Sequence, residues 1–255
     1  MTISAQERQR RIVEHIEKNG RVGINEVCEI FDISIATARR DLEALADQGE
    51  VERVHGGAIR VERAPAEPPI NQRHTEQYEE KRRIAVATAE MVNDGETIYL
   101  GAGTTMEAVA ARLQQRQGLT VITNSLLVVN ALAGQPQIEL ICLGGLLRHS
   151  EMCFIGHLTE QALAYVRADK AILGTRAIDI EHGLTNDHLP QTSTDRASLA
   201  IGRQVIIAAD HTKVARVSTG FVAPIDAIHT FVTDKNTQPE FITALASRGV
   251  NVRQV

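Results

Sequence analysis

The chain has 255 residues, of which 43% are hydrophobic and 23% charged, and its formal net charge is −5 at pH 7. A chain of this length can bury a sizeable core and is expected to form two domains. No apolar run approaches the roughly 18 residues of a membrane span, and no cleavable signal pattern opens the chain, so we expect a cytoplasmic protein with no membrane contact. The cysteines, Cys28, Cys142 and Cys153, are odd in number and widely spaced, which predicts neither a disulfide framework nor a structural zinc site. The histidines are scattered as well, and we expect no bound metal and no cofactor.

Residues 1–60 predict a helical module that ends in a β-hairpin. Apolar residues at helical spacing indicate a first helix over 6–18, and Asn25 is expected to cap a second short helix with Val27, Cys28, Ile30 and Phe31 facing inward. An alternating strand follows the third helix at 51–54, with Gly56-Gly57 at the turn. This order of elements is that of a winged helix-turn-helix.

The third helix carries the residues expected to read DNA. Ser34 can cap it, Gly49 can end it, and an inward stripe is formed by Ile35, Ala38, Leu42 and Leu45. A helix in the major groove reads base edges with its first turns, and Arg can donate two hydrogen bonds to guanine, so Arg40 is the predicted base reader. The predicted DNA contacts are Ser34, Ala36, Thr37, Arg39 and Arg40 on the helix, and Arg53 and His55 on the wing. The alternative is that Arg39 and Arg40 only pair with nearby carboxylates, as Arg39 could with Glu43.

The charge of this module is unusual for a DNA-binding domain. Residues 1–63 contain ten Lys and Arg against twelve Asp and Glu, whereas such domains are usually basic. The positive field is therefore expected to be local and to come from Arg8, Arg10, Arg11, Arg39, Arg40, Arg53, Arg60 and Arg63. Because two symmetric copies would double the phosphate contacts, we expect a homo-oligomer, a dimer or a tetramer.

A proline-containing, charged stretch over 61–80 predicts a linker between a DNA-binding domain at 1–60 and a larger domain at 81–255. In the larger domain strands alternate with helices, which predicts an α/β fold with a parallel sheet covered on both faces. The predicted strands are 97–100, 119–123, 138–143, 170–173, 205–209 and 227–232. The predicted helices are 83–92, 105–113, 126–133, 158–166, 196–203 and 240–247.

Small, hydroxyl and charged residues follow these strands where each strand ends. Parallel sheets bind ligands at this edge, and the glycine-rich turn at 101–105 opens directly into a helix, whose free N–H groups suit a phosphate. Lys213 would complete the neutralisation of such a ligand. The residues predicted to bind an effector are Gly101, Gly103, Thr104, Thr105, Asn124, Ser125, Gly144, Gly145, Asp210 and Lys213.

Two stretches resemble the signature of the DeoR-type bacterial transcription regulators, Thr37-Ala38-Arg39-Arg40-Asp41-Leu42 and Arg53-Val54-His55-Gly56-Gly57-Ala58. The resemblance implies a repressor of a sugar or polyol catabolic operon that binds double-stranded operator DNA. It also implies a second domain similar to ribose-5-phosphate isomerases, which senses a phosphorylated sugar or polyol and releases the DNA when that effector binds. Residues 188–195 depart from the family, because many relatives carry glutamates before the Arg-Ala pair, and this departure bears on which ligand is bound.

Two other functions fit the same architecture. A sugar-phosphate isomerase with a fused DNA-binding module would need a carboxylate base in the pocket, for which Asp179, Asp187 and Asp210 are candidates. A dinucleotide-binding protein would need a third glycine where this chain has Met106. Because the same chain carries a predicted DNA-binding domain, a pocket that senses a ligand is favoured over the active site of an enzyme.

Overall fold

The structure is a computed structural model that describes residues 3–48, 50–54, 56–60, 64 and 68–255. The chain divides into two compact units, residues 1–63 and 64–255. Within the described residues, no helix combines the length and the apolar character that crossing a membrane requires.

The described residues of the first unit form a three-helix module with a small antiparallel sheet. The helices are α1 (Ala5–Asn19), α2 (Ile24–Phe31) and α3 (Ile35–Asp47), and the strands are β1 (Arg21–Gly23), β2 (Val51–Val54) and β3 (Gly57–Arg60). The strand order is β1-β3-β2. The predicted winged helix-turn-helix is therefore confirmed, and only β1, which is too short to show an alternating pattern, was not predicted.

Three predictions about this unit are wrong in detail. The N-cap of α2 is Gly23 instead of Asn25, and the Glu26 carboxylate accepts a hydrogen bond from the Gly23 N–H at 3.2 Å. Ile30 and Ile35 were expected to face inward, but they are 46% and 51% exposed. The core is closed instead by residues of all three helices and of the sheet, among them Ile12, Ile16, Val27, Leu42, Leu45 and Val51. Gly49, expected to end α3, lies outside the described residues.

The described residues of the second unit form seven helices and twelve strands. The strands are β4 (Thr97–Leu100), β5 (Thr120–Thr123), β6 (Glu139–Cys142), β7 (Leu146–Arg148), β8 (Cys153–Ile155), β9 (Ala168–Leu173), β10 (Ala177–Asp179), β11 (Gly183–Asn186), β12 (Gly202–Ala208), β13 (Gly220–Ala223), β14 (Thr230–Thr233) and β15 (Asn251–Gln254). The helices are α4 (Ile70–Arg73), α5 (Tyr78–Ala89), α6 (Thr104–Leu113), α7 (Leu126–Leu132), α8 (His157–Ala164), α9 (Leu189–Ala200) and α10 (Pro239–Ser247).

A seven-stranded sheet organises this unit, in the order β15-β14-β12-β9-β4-β5-β6. Every neighbouring pair in it is parallel, as predicted. Alternate residues of one strand belong to different hydrophobic clusters: Ile98 and Leu100 pack on one side, and Tyr99 packs on the other. Because successive side chains of a strand point to opposite faces, both faces of the sheet are buried.

The remaining strands form smaller antiparallel pairings, β7 with β8 and β10-β11-β13, which the sequence did not predict. Helix α9 begins at Leu189, well before the predicted start at residue 196, with Pro190 in its first turn, where a missing N–H costs nothing. Helix α4 and the start of α5 lie in the stretch predicted as linker. Neither α4 nor the first turn of α5 shows an apolar period long enough to be recognised.

Candidate DNA-reading surface and effector cavity

The N-terminus of α3 presents the predicted DNA contacts to solvent. Ser34 caps the helix, since its hydroxyl accepts a hydrogen bond from the Thr37 N–H at 3.2 Å. Ala36, Arg39 and Arg40 are exposed, and Thr37 is half-buried. Within the described part of the chain, neither arginine makes a side-chain hydrogen bond or ion pair, so the alternative pairing of Arg39 with Glu43 does not form.

A buried ion pair that the sequence analysis missed holds α3 against α1. Arg8 Nε lies 2.6 Å from Asp41 Oδ2, and Arg8 Nη2 lies 3.2 Å from Asp41 Oδ1. Gln9 donates a further hydrogen bond to this carboxylate at 3.1 Å. Both charged side chains are almost fully buried, at 10% and 6% exposure. Asp41 therefore orients the helix that carries Arg40, a role that its position next to the arginine pair did not reveal.

The three arginines near the chain start that were expected to contribute to a positive field all form ion pairs within the unit. Arg8 binds Asp41, and Arg10 and Arg11 both pair with Glu7 at 2.8 Å. The two hydrogen-bonding guanidinium groups lower the pKa of Glu7 to about 2. Arg39 and Arg40 on α3, by contrast, are exposed and remain available to contact DNA.

The wing is the hairpin of β2 and β3, in which Val54 pairs with Gly57. Gly56 has φ +88°, a conformation that glycine adopts without strain, and a Cβ on Gly57 would lie 2.1 Å from the Val22 carbonyl oxygen. Arg53 is half-buried, and within the described residues its Nη1 is covered and has no hydrogen-bond partner. His55 lies outside the described residues, so its predicted phosphate contact stays a prediction.

A cavity of about 110 Å³ lies at the carboxyl ends of β4, β5, β9 and β12, where the sequence predicted a ligand site. Seven of the ten predicted effector residues line it. They are Gly101, Gly103, Thr104, Thr105, Asn124, Asp210 and Lys213.

The glycine-rich loop forms one wall of the cavity. Gly103 is the N-cap of α6 with φ +116°, and it offers no side-chain acceptor to the first helical N–H groups. Those groups have no intrahelical acceptor either, and they carry the positive end of the helix dipole. Gly101 lies close to β9, because a Cβ there would lie 3.3 Å from Leu173 Cγ. The loop can therefore accept an anion.

Asn124, which follows β5 and lines the cavity, is held by two hydrogen bonds. The Tyr99 hydroxyl donates to Asn124 Oδ1 at 2.8 Å, and Asn124 Nδ2 donates to the Phe154 carbonyl at 2.7 Å. Burial raises the pKa of Tyr99, so its hydroxyl stays a neutral donor.

Three predicted effector residues do not reach the cavity. The Ser125 hydroxyl caps α7 by accepting from the Val128 N–H at 3.4 Å. The Gly144 carbonyl accepts from the Thr159 hydroxyl at 2.8 Å, and a Cβ on Gly145 would lie 2.1 Å from Thr159 Oγ1. Ser125 therefore stabilises the start of α7, and the loop of the two glycines packs closely against α8.

Charged side chains complete the lining, and of these only Asp210 and Lys213 were predicted to bind an effector. Among the described residues, the basic side chains in the cavity wall are Arg73, Lys81, Arg148, Arg176 and Lys213, and the carboxylates are Glu76, Glu151, Asp195 and Asp210. Arg176 follows β9, as Asp210 and Lys213 follow β12, and it could have been selected on the same ground. Arg73 and Lys81 come from α4 and α5, before the first strand of the unit.

Among these carboxylates, Asp195 has a strongly raised pKa. Burial raises its pKa to about 6, although it accepts a hydrogen bond from Asn186 Nδ2 at 2.8 Å. Asp195 was not among the acids considered as an isomerase base. Of those acids, Asp179 binds the His182 ring at 2.7 Å, and Asp187 binds Arg176 at 2.9 Å. Asp210 lines the cavity, but its carboxylate accepts from the Thr212 N–H at 3.0 Å and so orders its own loop. Among the described positions, no cluster of His, Cys, Asp and Glu could hold a metal ion.

Comparison with known families assigns both units. The model of the DeoR-like helix-turn-helix domain matches residues 8–64, and the model of the DeoR C-terminal sensor domain matches residues 76–235. The second match alone covers more than half of the chain.

Curated relatives extend over nearly the whole chain. The transcriptional repressor AccR of Agrobacterium fabrum is 36% identical over 236 residues, which cover 92% of each chain. The glycerol-3-phosphate regulon repressor of Escherichia coli is 35% identical, over 88% of this chain and 90% of the repressor. Among solved structures, ribose 5-phosphate isomerase A of Methanocaldococcus jannaschii aligns with a TM-score of 0.40 and 18% identity over 55% of each chain. The helix-turn-helix, the sensor domain and the full-length repressor relatives together establish that this chain is a DNA-binding transcriptional regulator, not an enzyme, and that it belongs to the DeoR family.

Proposed function

We propose that this regulator represses a sugar or polyol catabolic operon and that a phosphorylated sugar or polyol in the cavity controls it. The observation that carries the proposal is the cavity itself, which is lined by the N-terminus of α6 and by a set of basic side chains. A phosphate suits the helix N-terminus and the cations. The buried amide of Asn124 and the carboxylates suit the hydroxyl groups of the rest of such a ligand.

For the DNA side, we propose that the first turn of α3 enters the major groove with Arg40 as the base reader. Ser34, Ala36, Thr37, Arg39, Arg53 and His55 would add contacts to bases or phosphates. The exposed and unpaired state of Arg39 and Arg40 among the described residues supports this assignment. Because the unit as a whole is slightly acidic, we propose that two or more copies act together, as a dimer or tetramer in the cytoplasm, on a symmetric operator.

For the effector, a ligand of this class is supported by the polyol phosphate after which the Escherichia coli repressor is named. We propose that binding releases the DNA, which requires the effector to bind more tightly to the DNA-free arrangement than to the DNA-bound one.

The test uses an operator selected from random duplexes by the purified protein. Thermal unfolding and operator affinity are measured with glycerol 3-phosphate and ribose 5-phosphate, and with glycerol and ribose as matched unphosphorylated controls. A phosphorylated ligand at a hundred times its Kd should stabilise the protein by about 2.7 kcal/mol and weaken operator binding. The effector proposal fails if every phosphorylated compound leaves both the melting temperature and the operator affinity unchanged.

A further inference from the structure

The chain enters the second unit along the wall of the cavity. We define the connector as residue 64 together with residues 68–77, the described residues that follow the DNA-binding unit. We propose that the connector transmits occupancy of the cavity to the DNA-binding unit, and that the Arg73–Glu151 ion pair is the latch that the effector opens. This inference rests on the proposed function, because it assumes an anionic effector in the cavity.

The connector is bonded to cavity-lining loops at two points besides the ion pair. The Ala64 N–H donates to the Val217 carbonyl at 2.9 Å, and the Ile70 N–H donates to the Ser150 carbonyl at 2.8 Å. Val217 lies on the loop that carries Lys213, and Ser150 immediately precedes Glu151. A rearrangement of either loop around a ligand therefore acts directly on the connector's backbone.

The ion pair is a third attachment of the connector, and both of its side chains are buried. The Arg73 guanidinium donates to the Glu151 carboxylate, and each side chain is 9% exposed. Lys81 Nζ reinforces the same position by donating to the Arg73 carbonyl at 2.7 Å. Arg73, Lys81 and Glu151 all line the cavity. The connector therefore lines the cavity and also follows directly after the DNA-binding unit in the chain.

An anionic ligand competes with Glu151 for the same guanidinium. Arg binds phosphate with a bidentate geometry that matches its carboxylate pairing, so a phosphate near Arg73 offers it an equivalent partner. Exchange of Glu151 for the ligand frees the turn at Ser150 from its charge partner and shifts the connector between two arrangements. Such an exchange couples the two sites only to the extent that the ligand prefers one arrangement.

The test compares full-length wild-type protein with Glu151→Gln, which breaks the latch but keeps Arg73 for the ligand. The matched control is Glu96→Gln, which breaks another partly buried ion pair, with Lys170 at 2.5 Å, before β4 and away from the cavity lining. Hydrogen exchange of the peptide over 64–77 reports the connector, and the affinity for the selected operator reports the DNA-binding unit. Both are measured without ligand and with glycerol 3-phosphate or inorganic phosphate.

We expect Glu151→Gln alone to accelerate exchange of the peptide over 64–77 by about tenfold or more. Its ligand-free operator affinity should differ from that of the wild type by about fivefold or more, in the direction that an effective ligand produces in the wild type. The inference is overturned if both quantities match the wild type, or if Glu96→Gln changes them equally. If Glu151→Gln does not fold, Arg73→Lys is used in its place, because it keeps the positive charge but loses the planar guanidinium that can bind two oxygens at once. Its hydrogen exchange and operator affinity are then compared with the wild type in the same way.

The two proposals fail separately. If no phosphorylated compound stabilises the wild type or changes its operator affinity, the effector assignment fails, while the ligand-free comparison still decides whether the latch controls DNA binding. If glycerol 3-phosphate weakens operator binding equally in the wild type and in Glu151→Gln, the effector assignment stands and the latch is refuted.

Discussion

Replacing Asp41 by Ala should unfold the DNA-binding unit while leaving the second unit folded. The substitution leaves the Arg8 guanidinium, which is almost fully buried, without the Asp41 carboxylate that pairs with it at 2.6 Å. Breaking a buried ion pair by removing one partner costs about 3–5 kcal/mol. A single core in a module of this size supplies about 3–5 kcal/mol in total. The loss therefore equals the whole stability of the unit, and the expected result is an unfolded module at about 25 °C.

Far-UV circular dichroism and hydrogen exchange measure this outcome on the full-length chain. We expect loss of protection over residues 5–47, retained protection in the large sheet, and loss of binding to both operator and random DNA. Two controls separate the charge effect from general damage. Glu43→Ala removes an exposed carboxylate from the same helix and should change stability by less than about 0.5 kcal/mol. Combining Arg8→Met with Asp41→Leu replaces the buried pair by apolar groups and should restore most of the stability.

A folded Asp41→Ala module with wild-type protection would refute the reasoning, because the buried guanidinium would then have found water or another partner at little cost. A double variant as unstable as the single one would also refute it, since the loss would then come from packing instead of the stranded charge.

Three further outcomes follow from the same structure. Arg40→Ala should lower specific operator binding by about 1–3 kcal/mol in fluorescence titrations, and an equal loss on random DNA would reassign this side chain to phosphate contact. Lys213→Ala should keep ligand-free operator binding and weaken the response to phosphorylated ligands, so an unchanged dose–response curve would contradict its place in the effector site. Because burial raises the pKa of Asp195 from 3.8 to about 6, the native state holds a proton that the unfolded chain has released, and stability falls as pH rises through this window, by up to about 3 kcal/mol. Urea unfolding of Asp195→Asn should lack this part of the pH dependence, and a curve parallel to that of the wild type would exclude Asp195 as its source.

Local patterns in the sequence were sufficient for the architecture. The helical period of α1, the Ser34 cap, the alternating wing strand and the run of strands and helices after residue 97 each depend on neighbours within one element, and the winged helix-turn-helix and the parallel sheet follow from them. The position of the cavity was also predictable, since parallel strands place their carboxyl ends along one edge, and Gly103, Asn124 and Lys213 follow strands that meet there.

The charge arrangement was decided only by the tertiary structure. Arg8 and Asp41 are 33 residues apart, and Arg73 and Glu151 are 78 apart. Nothing local distinguishes such a buried pair from solvated surface charges, because burial depends on which helices and loops pack together. The same reason explains why Ile30 and Ile35 are exposed despite their spacing, and why Ser125, Gly144 and Gly145 support helices instead of lining the cavity. Periodicity records which face of an element is apolar, whereas the partner of that face is set by the packing of the whole unit.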